Sequence, residues 1–101
     1  MKKTALELKA IKEASLVLKS IAHPVRLRVI EALDLGGEMT VSQLLEKIPV
    51  SQAELSKQLA LLKSRGILKS AVDRNYRLYS IAFPGVINVL DCIRKHHSKG
   101  D

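Results

Sequence analysis

The side chains with the clearest chemical capacity gather between positions 51 and 77. Ser51, Gln52, Ser56, Lys57 and Gln58 come close together, and Lys63, Arg74, Asn75 and Arg77 follow. Hydroxyls and amides donate and accept hydrogen bonds, while ammonium and guanidinium groups donate and carry charge. No nucleophile among them stands beside a base. Two other candidates lie near the end of the chain. Cys92 and His96 are four residues apart, so one helix presents both on one flank. Such a pair holds zinc only with two further ligands. The competing reading is a half-buried thiol beside a solvated imidazole. His97 has no visible counterpart, and His23, directly before Pro24, reads as structural. One cysteine, three histidines and no glycine-rich phosphate loop offer no enzyme site. No cofactor is expected.

The segment SQAELSKQLALLKS, residues 51–64, has two unlike faces. At about 100° per residue, Leu59 and Leu62 fall within about 40° of Leu55, whereas Ala53, Ser56, Lys57, Ala60 and Ser64 fall between about 100° and 200° from it. One face is apolar. The other is short-chained, with Lys57 on it and Lys63 at its border. A solvated helix tolerates long charged side chains all round its outer face. A face kept short suits close approach to another surface. In a DNA major groove, about 12 Å wide, Ser and Gln hydrogen-bond base edges and Ala packs on a thymine methyl. The competing reading is a surface helix that uses alanine for its helix propensity.

Charge supports a polyanionic partner. Seventeen Lys and Arg against ten Asp and Glu give a net charge of +7. The excess centres on residues 51–80, where Lys57, Lys63, Arg65, Lys69, Arg74 and Arg77 face only Glu54 and Asp73. A basic stripe of this kind is the footprint of nucleic-acid binding. A membrane surface is the weaker partner, because no basic helix carries a Trp- or Phe-rich face. No stretch approaches the roughly 18 apolar residues of a membrane span. The start of the chain lacks a long apolar run, so no signal peptide is expected. Cys92 is the single cysteine, which forbids an intrachain disulfide and fits a reducing cytoplasm. An intersubunit disulfide through Cys92 stays open, although nothing visible activates the thiol.

The elements that must position these residues follow from periodicity. A length of 101 residues implies one domain. Hydrophobic residues make up 47% and aromatics 3%, so the core is aliphatic, which favours packed helices. A first helix spans residues 4–22. It has two apolar rows, Leu6, Ala10, Ala14, Val17 and Ile21, and Leu8, Ile11, Leu18 and Ala22. The stripe is wider than one core contact needs. One row is expected against the domain and the other against a second subunit. A second helix runs from about Pro24 to Leu35, with Val25, Val29, Ile30 and Leu33 inward, and Gly36-Gly37 ends it. A third is short, capped by Thr40 and stopped by Pro49. The fourth starts with Ser51 and Glu54 as a capping box, with Val50 stapled to Leu55, and ends at Gly66. Residues 67–72 and 76–81, separated by Asp73-Arg74-Asn75, read as a hairpin. Pro84 and Gly85 open a last helix to about His97, with Val86, Val89, Leu90 and Ile93 as its stripe. The tail at 98–101 is expected to be loose. The tight link at Pro49-Val50-Ser51 makes helices three and four a helix-turn-helix, followed by a two-stranded wing.

The stretches LKSIAHPVRLRVIEAL, VSQLLEKIPVSQAELSKQLALLKSRGIL and RNYRLYSI resemble the ArsR/SmtB family of winged-helix repressors. The likeness covers roughly residues 16–81. It implies a mainly α fold with a small β-hairpin, a winged helix-turn-helix in the order of four helices, two strands and a closing helix. The whole of residues 1–101 is then one DNA-binding domain, with dimerisation helices at about 4–22 and 85–97. The implied partners are double-stranded DNA carrying a pseudo-palindromic operator, and a second copy of the chain. Ser51, Gln52 and Ser56 match recognition-helix positions, and Arg74 and Arg77 match basic positions of the wing. Gln58 stands where the family more often has His, and glutamine can still read adenine.

Taken with the outer face of the fourth helix, the expected DNA-binding set is Ser51, Gln52, Ala53, Ser56, Lys57, Gln58, Lys63, Arg74, Asn75 and Arg77. The expected dimer set is Leu6, Ala10, Val17, Val86, Val89, Leu90 and Ile93. The family's usual metal ligands are missing. VSQLLEKI has no cysteine, and PGVINVL has no His, Asp or Glu. Cys92 and His96 remain the weak metal candidates, and the sequence identifies no effector. A sequence-specific dimeric repressor is the leading reading. A winged helix used for protein contact is the alternative.

Overall fold

A computed structural model describes residues 3–97; the tail expected to be loose lies outside them, as do positions 1 and 2 of the expected 1–101 domain. The elements are α1 (Leu8–Ile21), α2 (Pro24–Gly36), α3 (Val41–Lys47), α4 (Gln52–Ser64), β1 (Leu68–Asp73), β2 (Tyr76–Ile81) and α5 (Gly85–His97). Local chemistry sets most of these limits. Pro24 occupies the first turn of α2, and the His23 side chain caps it by accepting from the Val25 N–H at 3.1 Å. The residue expected to be structural is therefore a helix cap. Gly37 and Gly66 take left-handed φ values of 77° and 74°, which no β-carbon hinders in glycine. They end α2 and the turn after α4.

Two caps differ from expectation. Ser51 Oγ accepts from the Glu54 N–H at 3.0 Å, but the reciprocal half of the box is missing. The Glu54 carboxylate instead accepts from the Gln58 amide. The complete box sits on α3, where Thr40 and Gln43 exchange both bonds. The first helix starts at Leu8 rather than residue 4, so Leu6 precedes it. The Glu7 side chain makes no capping bond there.

The wing is an antiparallel pair in the register Leu68↔Ile81 to Asp73↔Tyr76. Asp73 thus pairs within the ladder, and the turn is the two residues Arg74 and Asn75 rather than three. Arg74 accepts a φ of 60°, which costs a side-chain-bearing residue about 1–2 kcal/mol. Met39 adds a third, one-residue partner: its N–H donates to the Tyr79 carbonyl at 3.0 Å and its carbonyl accepts from the Tyr79 N–H at 2.8 Å. This bridge ties the start of α3 to the base of the wing.

One core unites α2–α5 with the wing base. Val29, Ile30, Leu44, Leu55, Leu59, Leu62, Ile67, Leu68 and Val86 are buried in it. The apolar face of α4 lies wholly inward, so the opposite face looks out. Helix α1 behaves differently. Ser20 and Ile21 are its buried residues, and Val17 is half-buried against the core. The expected inward row is covered only at its C-terminal end. The Cα radius of gyration is 15.1 Å, against about 13 Å for a compact chain of 100 residues.

Candidate nucleic-acid interface

Helix α4 presents its short face to solvent. Gln52, Ala53, Ser56, Lys57, Ala60 and Lys63 are all exposed, opposite the fully buried Leu55, Leu59 and Leu62. Ser51 spends an oxygen lone pair on the cap, which leaves its hydroxyl proton free to donate. The wing adds exposed Arg74, Asn75 and Arg77. Arg77 donates to Ser70 Oγ at 3.0 Å, which steadies the side chain and leaves other guanidinium donors available. Helix, turn and hairpin tip thus offer hydrogen-bonding groups and positive charge without carboxylates beyond Glu54 and Asp73 in these elements. Phosphate contacts fix register, and contacts to base edges carry sequence information. The arrangement is suited to both.

Gln58 does not belong to this surface. It is 4% exposed, and its amide is committed at both ends. Oε1 accepts from Arg26 Nε at 2.8 Å, and Nε2 donates to Glu54. Burial and these two bonds withdraw the amide from the outer face. On the helix wheel it lies at the rim of the leucine face, about 60° from Leu55, where the arginine on α2 reaches it.

The expected dimer set also divides. Val86 and Leu90, one helical turn apart, are buried in the protomer's own core and are withdrawn from that set. Val89 and Ile93 form the neighbouring row, half-buried and exposed. On α1, Leu8, Ile11, Leu16 and Leu18 are exposed, with Leu8 67% exposed and Leu18 51%. Leu6 is exposed and Ala10 half-buried. An open apolar groove runs between the helices, lined by Ala14, Val17, Leu18, Phe83, Gly85 and Val89 with Glu13 at its edge. This groove and the exposed leucines of α1 are left uncovered among the described residues.

Helix α5 is locked to α2 by Arg94. Its Nη1 donates to Asp34 and Asp91 at 2.8 Å each, and Nη2 lies 3.8 Å from Glu31. The hydrogen bonds, that with Asp34 foremost and then that with Asp91, raise the guanidinium pKa from its ordinary value. Cys92 and His96 are both exposed on α5. Among the described residues, no group of three or more His, Cys, Asp or Glu is placed to hold a metal. Sequence reasoning missed Arg26 as the partner of Gln58 and Arg65 as the partner of Ser20. The one available signal was a glutamine beside an otherwise apolar helix face.

Fold and surface together define a winged helix-turn-helix. A helix-turn-helix domain profile matches residues 21–71 of the chain. An HTH-type transcriptional regulator of Mycobacterium tuberculosis (strain ATCC 25618 / H37Rv), Rv0081, is 35% identical over 78 residues, spanning 76% of this chain and 68% of that protein. The biofilm growth-associated repressor of Xylella fastidiosa (strain Temecula1 / ATCC 700964) is 35% identical over 87 residues, spanning 81% and 74%. The structure of the transcriptional repressor BigR from Xylella fastidiosa superposes with a TM-score of 0.81 at 27% identity, covering 88% of this chain and 90% of that one. The chain belongs to the ArsR/SmtB-type winged helix-turn-helix transcriptional regulators. That family comprises DNA-binding regulators, not enzymes, and it gives no support to the protein-contact reading.

Proposed function

We propose that the chain is a sequence-specific repressor that binds a pseudo-palindromic operator as a homodimer and is released by a signal still to be identified. One observation carries this reading: the exposed face of α4 is short, polar and basic, and the hairpin that follows it carries the exposed Arg74 and Arg77. Gln52, Ala53, Ser56 and Lys57 occupy the first half of α4, the part of a recognition helix that contacts base edges. Ser51, Lys63, Arg74, Asn75 and Arg77 then contact phosphate or the adjoining minor groove. Leu6, Ala10, Val17, Val89 and Ile93, together with the exposed leucines of α1, form the face that a second copy covers. A cytoplasmic location follows from this activity. No helix among the described residues is long and apolar enough to cross a membrane.

The test is selection of bound duplexes from a random-sequence pool, followed by affinity measurement across salt. A palindromic consensus is expected, with half-sites about 10 bp apart or a multiple of it. Affinity should fall with salt at a log–log slope of about −0.9 per neutralised phosphate. A salt-insensitive interaction with no enriched sequence overturns the reading.

A further inference from the structure

A polar junction joins α1, α2 and α4 beneath the surface proposed to meet DNA. Arg26, in the first turn of α2, stands at its centre. Its Nε donates to Gln58 Oε1 at 2.8 Å, and its Nη1 donates to the carbonyls of Ser20 at 3.2 Å and Lys19 at 3.4 Å. Those carbonyls belong to the last turn of α1, where carbonyls run short of helical partners; that of Lys19 also accepts from the Ala22 N–H at 3.4 Å. Arg65, just after α4, donates to Ser20 Oγ at 3.3 Å, and Ser20 donates onward to the Leu16 carbonyl at 2.7 Å. Helix α4 is therefore tied at its middle and at its end to the last turn of α1. That same α1 leaves its apolar face uncovered.

We propose that Arg26 is a positioning residue that sets the roll of α4 from the end of α1, so that pairing of two copies through α1 fixes the angle at which Ser56 and Lys57 meet a groove. The proposal rests on the reading of α4 as the DNA-reading helix. Gln58 then acts on DNA through Arg26 and never touches a base. Arginine suits the task because its planar fork holds Nε and Nη1 in fixed relation, so one side chain references α4 to two carbonyls of α1. Lysine has a single ammonium and no such fork. Direction matters too: a hydrogen bond weakens steeply off axis, so it resists rotation of α4 more than a leucine contact at position 58 does.

The test uses Arg26→Lys, Gln58→Met and the double variant. Each is measured on the duplex that the unaltered protein selects from a random pool, with the unselected pool as competitor. Each single change should lower selectivity about three- to tenfold, the scale of one hydrogen bond. The double variant should be no worse than either single one, because both remove the same tie. The salt slope should stay unchanged, since no phosphate contact is lost. Thermal midpoints taken in parallel separate positioning from simple stability. A lowered midpoint with full selectivity overturns the proposal. So does a changed preference at one base pair in Gln58→Met that Arg26→Lys does not share, which makes Gln58 a reader. If Arg26→Lys fails to fold, Gln58→Met alone decides by the same two readouts. If the unaltered protein selects no duplex, the reading of α4 itself has failed, a result distinct from intact selection by the variants.

Discussion

Helix α4 and helix α1 are both amphipathic, yet they finish differently. On α4 the leucines are fully buried and the outer face is small and polar. On α1 the leucines are the outer face. The first helix has met its apolar partner within the chain and keeps a polar surface for a polar one. The second has an apolar face with no partner among the described residues. An apolar face of this size in water is the mark of a contact with another copy or partner, whereas a short polar face is the mark of close approach to a hydrogen-bonding surface. The arginines join the two: Arg26 and Arg65 connect α1 to α4, and Arg94 connects α5 to α2.

Breaking each face separately sharpens the contrast. The largest effect on the fold should come from Leu59→Ala, which opens a cavity under α4 and should cost about 2–5 kcal/mol of unfolding free energy in a denaturant titration. Its neighbour on the outer face should behave in the opposite sense. Ala60→Leu should alter stability by no more than about 0.5 kcal/mol, as surface changes do, yet place a branched side chain where the helix must approach a groove. Duplex binding by that variant should collapse in fluorescence anisotropy. Unimpaired binding would mean that the outer face of α4 meets nothing.

On α1, Leu18→Glu should separate the dimer and spare the protomer. A leucine buried in a two-fold interface is removed twice, at about 1.5–3 kcal/mol each, so self-association should weaken about a hundredfold or more. Sedimentation equilibrium reads this, with circular dichroism confirming that the helices persist. Unchanged association would move the dimer contact elsewhere.

Smaller effects are expected at the wing and at α5. Arg74→Gly relieves a left-handed φ of 60° while adding glycine's entropy, so stability should shift by less than about 1 kcal/mol. Affinity for all duplexes should fall by a similar factor, and the salt slope should shrink by about one phosphate. Loss confined to one sequence would make Arg74 a base reader. Cys92→Ser should change neither binding nor stability, with zinc, chelator or oxidant present; any dependence on these agents that the substitution removes would give the thiol a sensing role.

Much of this architecture was legible in the residues, for local reasons. Pro24, Gly37, Ser51 and Gly66 act within a turn of chain, so they mark element ends without tertiary information. The leucine face of α4 and the alternation of the wing are likewise periodic. What stayed hidden was non-local. Gln58 became a buried amide only because Arg26, 32 residues away, reaches it. The Met39–Tyr79 bridge is one residue long and leaves no pattern to read. The stripe on α5 was visible, but periodicity cannot tell Val86 and Leu90, which are buried in their own core, from Val89, half-buried at its edge, and Ile93, which is exposed. The extent of α1 was overdrawn because an apolar row reaches back to Leu6, before the helix begins at Leu8.

The most direct measurement is base preference at each half-site of the selected duplex, determined for Gln52→Ala beside the unaltered protein. Discrimination at one base pair should relax by about 1–3 kcal/mol, at two positions related by the two-fold symmetry of the site, with every other preference kept. Preferences left intact at all positions, or relaxed on one side only of a symmetric footprint, would contradict a dimer that reads DNA through the first half of α4.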